Sequence, residues 1–309
     1  MIVADLSLNQ ISSRLNRGDF VLRTGPFHAS IQSPLTSVHR GIATLYADFE
    51  IIAQPTFADF HVNVSTPPNL RRWVRPQVIF RYDDEVPFKP LPLDQAIPML
   101  EWGLNWSISN HAHQYLILHA AVIERGGRAV IMPAPPGSGK STLCAALVNH
   151  GWRLLSDELA LLSPATGEVI PLARPVSLKN SSINIIRDLG PEVVIGPACK
   201  DTLKGTVAHM RPPADSVRRI DENALPAWII FPRYQPGTGA VLEPYARSQT
   251  FMSLVENTFN YHALGEKAFN TLCSLVDHCD CYTFEYDRFD LAFDTFAALA
   301  PPAISPLVE

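Results

Sequence analysis

The sequence predicts an α/β protein, and three observations carry that expectation. Residues 115–158 read strand, hairpin turn, strand, glycine-rich loop, helix, strand, which is the element order of an α/β core. The 309 residues are 47% apolar and 18% charged, against roughly 25% charged in average proteins, so the chain can bury a large core and is not disordered. Its apolar runs, such as residues 227–231, are strand-sized, and none reaches the roughly 18 residues of a membrane span. At about 100–200 residues per domain, the length allows one large domain or two modest ones.

Charge and cysteine usage narrow the class. A net charge of −5 argues against a general nucleic-acid binder while leaving room for a local basic site. Residues 1–14 lack a basic head followed by an apolar stretch, so no secretory leader is expected, and the sequence predicts a cytoplasmic protein. The five cysteines are odd in number and lack paired CxxC spacing, which predicts neither a disulfide frame nor a zinc site. Cys279 and Cys281 read as packing residues before a strand. The 27 prolines gather in loops such as 87–92 and 212–213, as stiff connectors.

Taken in order, residues 1–112 predict a small α+β region of unknown role. Residues 20–32, 59–64 and 77–82 are β-branched, aromatic or alternating, with Gly and Pro at their ends, and read as strands. Between them, 37–49 predicts a helix. A longer helix is expected over 94–113, where Ile97, Leu100, Leu104 and Ile108 recur every three or four residues and Pro98 falls in the first turns. Nothing in this region carries a chemical motif.

Residues 113–309 predict the domain that does the chemistry. Strands are expected at 118–124 and 129–132 around a two-residue turn, Gly126-Gly127. A helix follows over 140–149 and stops at Gly151, and then a short strand over 152–156 runs into Asp157 and Glu158. Later, Phe251, Leu254, Val255, Thr258 and Phe259 mark a one-sided helix. Residues 281–286 read as a strand with aromatics at alternate positions, and 289–299 as a closing helix. These aromatic stripes are read as core.

Between the second strand and the helix lies Ala134-Pro135-Pro136-Gly137-Ser138-Gly139-Lys140-Ser141-Thr142. It fits the phosphate-loop pattern, with alanine where the first glycine is usual. Each part has a physical task. Gly137 and Gly139 let the backbone turn so that N–H groups, with those of Pro136's neighbours and Ser138, face phosphate oxygens. Lys140 brings a charge to the β- and γ-phosphates, and the helix adds its positive end. Ser141 offers a hydroxyl to Mg²⁺, with Thr142 beside it. The expected ligand is a nucleotide with Mg²⁺.

The acidic pair follows Lys140 so closely that one helix and one strand fit between them. That spacing separates this chain from transport and motor ATPases, whose acidic pair lies far downstream. Asp157 is the expected general base; Glu158 falls on the opposite side if the strand continues, and takes the metal role. With Gly126-Gly127 as the turn, Arg125 faces Arg128 and His119 faces Ala134, beside the entrance to the loop. Lys179 and, after an apolar run, Arg233 are candidates for phosphate contact, each weighed against a solvated side chain. Residues 200–219, with Lys200, Lys204, Arg211, Arg218 and Arg219, are read as a lid or a solvated loop.

His119, the loop from Ala134 to Thr142, and Gly151-Trp152-Arg153-Leu154-Leu155-Ser156-Asp157-Glu158 resemble the catalytic core of the HPr kinase/phosphorylase superfamily. They are most similar to its HPr kinase-related branch. The resemblance covers about 118–162, with a weaker likeness to the chain end. It implies a phosphoenolpyruvate-carboxykinase-like P-loop fold and phosphoryl transfer from ATP to a serine hydroxyl. By the same resemblance Asp157 is the acid/base, His119 and Lys140 act beside it, and Ser141 and Glu158 contact the metal, glutamate standing where the family has aspartate. The family's protein-substrate recognition stretch is not recognisable, and the N-terminal region is unlike that of true HPr kinases. The HPr phosphocarrier is therefore not the expected acceptor, and phosphorylase activity is not implied. The expected partner is a peptide or small-molecule hydroxyl substrate, without nucleic acid or membrane; self-association stays open. A non-catalytic nucleotide-binding regulator and a slow NTPase are the rival readings. The set His119, Lys140, Asp157 favours the kinase, because a switch needs no general base.

Overall fold

The computed structural model describes residues 1–53, 57–135 and 137–300. The chain forms two compact units, Met1–Ile108 with Arg174–Ile220, and Ser109–Ala173 with Asp221–Glu309. Both are mixed α/β. Among the described residues no helix is long and apolar enough to cross a membrane.

The first unit opens with α1 (Leu8–Arg17), started by a reciprocal cap between Ser7 and Gln10 and stopped by Gly18 at φ 78°. Next come β1 (Phe20–Thr24), β2 (Phe27–Gln32), α2 (Thr36–Leu45), β3 (Ile51–Ile52), β4 (Phe60–Ser65), β5 (Gln77–Tyr82) and β6 (Leu91–Pro92). They form a sheet in the order β3-β1-β2-β4-β5-β6. Residues 20–32, read as one strand, fold as a hairpin, because Gly25 at φ 59° followed by Pro26 turns the chain between β1 and β2. Burial alternates along β2 and β4, the mark of a sheet with one packed face. The helix α3 (Ala96–His111) follows.

The second unit begins with β7 (Leu116–Arg125), β8 (Arg128–Pro133), α4 (Lys140–Asn149), β9 (Arg153–Ser156), β10 (Leu159–Leu162) and β11 (Val169–Ile170). The chain then supplies the first unit with β12 (Val176–Lys179), α5 (Ser182–Arg187), β13 (Cys199–Thr202), β14 (Gly205–Met210) and α6 (Ala214–Arg218). It finishes the second unit with β15 (Leu225–Tyr234), β16 (Ala240–Pro244), α7 (Arg247–Glu256), α8 (Tyr261–Leu264), α9 (Glu266–His278), β17 (Asp280–Tyr286) and α10 (Phe289–Ala297). Beside the division expected from sequence, 1–112 and 113–309, the first boundary here falls after Ile108 and a later segment changes sides. Arg174–Ile220 joins the first unit. A buried polar cluster accounts for the start of that segment. Arg174 pairs with Glu101 of α3 at 2.7 Å and donates to Asn105 Oδ1 at 2.6 Å, and the Tyr46 hydroxyl donates to Glu101 Oε1 at 2.6 Å. Removing either ion of the Arg174–Glu101 pair would strand a buried charge, a loss of about 3–5 kcal/mol.

The sheet of the second unit has the order β11-β10-β7-β8-β15-β17-β16, and β9 also pairs with β7. Strands β8, β15 and β17 run parallel; β7 is antiparallel to β8. Leu118, Ala120, Val122, Ile131 and Ile229 on one face pack with Leu254 of α7 and with Leu272, Leu275 and Val276 of α9. Helices α4 and α10 touch β7 and β17 respectively, and each other. Cover on both faces explains why β7 is buried at nearly every position, where a one-sided strand would alternate. Within it, His119 is the half-buried exception.

Candidate functional site

The phosphate-loop sequence lies where β8 ends and α4 begins, at the C-terminal edge of the parallel trio β8, β15 and β17. Open α/β sheets collect ligands at such edges. Gly137 and Gly139 sit at φ 90° and 92°, the left-handed region that a side chain disfavours. Gly139 is also pressed from behind. A Cβ there would stand 2.9 Å from Tyr286 Oη and 3.0 Å from Tyr234 Cβ. The Tyr286 hydroxyl donates to Gly139 O at 3.2 Å, and Tyr234 N–H donates to Ser138 O at 2.8 Å. Burial raises the Tyr286 pKa, so its hydroxyl stays a donor. A Cβ on Gly137 would meet nothing within 4 Å, and the residue is exposed. One side of the loop is thus anchored by two tyrosines while the other stays open. Pro136 lies outside the described residues.

The helix α4 starts on Gly139, which has no side chain to cap its first turn. Lys140 is buried in that first turn with its Nζ shielded from solvent, and Ser141 and Thr142 are half-buried. Ser138 Oγ accepts from Lys140 N at 3.4 Å.

The register of three adjacent strands brings the remaining candidates to one level. Arg125 pairs with Arg128 and the ladder runs up to Ala120 with Pro133, as the turn predicts. On the other side of β7, Val122 pairs with Ser156 and His119 with Leu159. Asp157 and Glu158 fill the gap between β9 and β10, opposite Ala121 and Ala120, which pair with the last residues of β8. The strand does not continue through Glu158, so the expectation that strand alternation separates the two acids does not hold. Instead Ser156 bridges the gap: its Oγ donates to Leu159 O at 2.7 Å and accepts from Leu159 N at 3.1 Å. Asp157 is buried and Glu158 is half-buried.

Electrostatics ties Asp157 to Lys140. The thiol of Cys144, one turn beyond Lys140 in α4, lies 3.9 Å from Ser156 O. Burial pushes its pKa well up; the Asp157 charge pushes it further in that direction, and Lys140 opposes. Both charges therefore act on one buried thiol. His119 is flanked by Leu159 and by Asn257, whose carbonyl accepts from His119 N at 2.6 Å, and its ring meets Phe259 edge-on at 5.8 Å.

Two further candidates remain, Arg233 next to the loop-binding Tyr234 and Lys179 in the first unit. Arg233 is exposed at the end of β15, 3.5 Å from Glu285 on β17. Lys179 belongs to the first unit, at the end of β12, where its N–H donates to Ser182 Oγ. Residues 200–219, read as a lid or loop, form most of β13, all of β14 and α6 in that same unit. Arg211 there is paired with Asp48. Among the described residues no three His, Cys, Asp or Glu side chains converge as a ready-made metal site. One hydroxyl and one acid, Ser141 and Glu158, suit Mg²⁺ when phosphate oxygens and water complete its shell. Sequence reasoning missed Tyr234, Tyr286, Ser156 and Asn257. Of these, Tyr286 had a signal, since the aromatic stripe marks it without saying what it meets.

In comparisons with known proteins, residues 94–171 match the family described as SynChlorMet cassette protein ScmC. The match spans α3 to β11, about a quarter of the chain, and includes His119, the glycine-rich loop, Lys140, Asp157 and Glu158. No curated protein matches the sequence. The chain is thus similar to that family over the segment that builds the site.

Proposed function

We propose that the second unit is an ATP- and Mg²⁺-dependent phosphotransferase of phosphoenolpyruvate-carboxykinase-like fold. Its acceptor is a serine-type hydroxyl in a peptide, protein or small molecule. The observation that carries the reading is the common level of the glycine-rich loop, His119 and the Asp157–Glu158 gap across three neighbouring strands. Phosphoryl transfer asks a protein mainly for positioning and charge neutralisation. The open side of the loop and the uncapped start of α4 suit phosphate oxygens, with Lys140 as the nearby cation. Mg²⁺ would add charge neutralisation at the phosphates, held by Ser141 and Glu158. Asp157 accepts the proton of the acceptor hydroxyl as its oxygen bonds to the γ-phosphorus and the bond from that phosphorus to the β–γ bridging oxygen breaks, ADP leaving. His119 orients Asp157 or touches the moving phosphoryl group.

The test is incubation with γ-labelled ATP and, separately, peptide and small-molecule pools from a lysate. Label in a product with the stability of phosphoserine supports the reading. Label released solely as inorganic phosphate means a slow NTPase. ATP raising the melting temperature with no label moved means a nucleotide-binding regulator.

A further inference from the structure

We infer that Tyr234, at the end of β15, is the platform on which the base of the bound nucleotide stacks. The inference rests on the nucleotide reading of the glycine-rich loop, and adds where the base lies and what holds it. The order of the strands sets the direction. β7 and β15 flank β8 on opposite sides. The loop that leaves β8 therefore has the Asp157–Glu158 gap beyond one flank and the ends of β15 and β17 beyond the other. A γ-phosphate within reach of Asp157 must point toward the β7 side. The α-phosphate, ribose and base then extend toward β15. Neighbouring strands lie about 4.8 Å apart, so the end of β15 is well within the span of a nucleoside.

Tyr234 is the aromatic that stands there. Its N–H donates to Ser138 O at 2.8 Å, and its Cβ lies 3.0 Å from where a Gly139 Cβ would be, so it abuts the loop itself. Yet the residue is 51% exposed, whereas its cross-strand partner Tyr286 is 1% exposed. The two rings meet edge to face at 5.7 Å and 73°. Such a contact covers at most one face of Tyr234 and leaves π surface turned to solvent. The backbone beside it is pinned as well. Gln235 N–H donates to Tyr286 O at 2.9 Å, and Gly237 N–H donates to Asp287 Oδ2 at 3.0 Å. A ring positioned in advance loses little freedom when a ligand arrives. Tyr286 cannot take the role, because it is buried and stacked on Phe284 at 5.4 Å. Arg233 alternates to the other face of β15, where Glu285 is its partner. A nucleobase offers a flat π-face, and stacking on an aromatic ring tolerates any base. The site should therefore take ATP and GTP alike, and hold tripolyphosphate, which has no base, less tightly.

The experiment is calorimetric titration of the full chain with ATP, GTP and tripolyphosphate, each with Mg²⁺, for wild type and for Tyr234→Ala, Tyr234→Phe and Tyr234→Trp. Tyr234→Ala should bind ATP at least about fivefold more weakly, the lower end of alanine effects at base-stacking aromatics. GTP should lose affinity in step with ATP. Tripolyphosphate affinity should be unchanged, because the backbone N–H to Ser138 survives the substitution. Tyr234→Phe and Tyr234→Trp should keep ATP affinity within about twofold of wild type, since both retain a stacking face. If Tyr234→Ala does not fold, Tyr234→Leu, which keeps an apolar side chain without a π-face, carries the same expectations. Unchanged ATP affinity in Tyr234→Ala would overturn the inference. So would wild type binding ATP no more tightly than tripolyphosphate. Equal loss of ATP and tripolyphosphate affinity in Tyr234→Ala would also overturn it, making the ring a prop for the loop. Wild type that binds neither ATP nor tripolyphosphate would instead mark failure of the nucleotide reading, and the inference would fall with it.

Discussion

At the residue scale, Asp157 carries the sharpest expectation. Asp157→Asn keeps size and hydrogen-bonding capacity but cannot take a proton. Turnover should fall at least about a hundredfold, the low end of acid–base contributions, while the ATP-induced rise in melting temperature persists. Loss of ATP–Mg²⁺ binding instead would make Asp157 a metal ligand and move the base to Glu158 or His119. Lys140→Ala should do the reverse, removing the ATP effect on melting. The buried Cys144 gives a separate check. Its thiol is raised well above 9.0, chiefly by burial, so iodoacetamide near pH 8 should modify the half-buried Cys273 first and spare Cys144. The sign of its pH linkage follows. Above pH 9.0 the unfolded chain has released a proton that the native thiol keeps, so stability from this group, present below 9.0, declines as pH rises. Melting curves between pH 8 and pH 11, compared with Cys144→Ala, would show whether part of the alkaline loss disappears.

At the element scale, the grip of β15 and β17 on the loop is the feature to perturb. Tyr286→Phe removes the hydroxyl that bonds Gly139 O, at a cost of about 0.5–1.5 kcal/mol. The aromatic body remains in the core, so nucleotide affinity should drop more than stability does. Titration with ATP beside a thermal melt separates the two; equal loss in both would mean that Tyr286 serves packing alone. This scale also shows what the sequence disclosed. Helix α4 and the β7–β8 register were legible because they rest on local signals, a glycine loop, an apolar helix and a glycine pair with φ 60° and 77°. The gap at Asp157 was not, because the polar run Ser156-Asp157-Glu158 between two apolar stretches marks a strand end without showing that the chain rejoins β7, a return in which the Ser156 hydroxyl takes part. Nor does the period of a stripe reveal that its last aromatic, packed in the core, also reaches a loop through its hydroxyl. The allegiance of Arg174–Ile220 was hidden for a different reason: it involves a buried pair, Glu101 with Arg174, far apart in sequence.

At the scale of the whole molecule, the chain passes between the units after Ile108, Ala173 and Ile220. A cut at 112/113 would therefore not release two foldable pieces. Residues 113–309 alone would carry Arg174 without Glu101, and the sheet of β12, β14 and β13 without its unit. That fragment should be poorly soluble or show exposed apolar surface by dye binding. Residues 109–173 joined to 221–309 by a flexible linker should fold better, with a cooperative melt. If the continuous fragment melts as sharply as the linked one, the discontinuous division is wrong.

The buried Glu124 acts as an alignment pin for the site. Its Oε1 accepts from Gly127 N at 2.6 Å, fixing the hairpin turn, and its other oxygen meets Arg153 at 2.5 Å, where β9 begins. One carboxylate thereby sets the registration of β8 and β9 on β7, and a one-residue slip would reverse every side chain of a strand. The pin lies roughly 17 Å below His119 along the strand. Glu124→Gln would remove the buried charge that meets Arg153, leaving Glu222 at 3.8 Å as its carboxylate partner, and should depress catalysis from that distance, with all proposed site residues intact. Hydrogen exchange across β9 would distinguish this misalignment from damage at the loop itself.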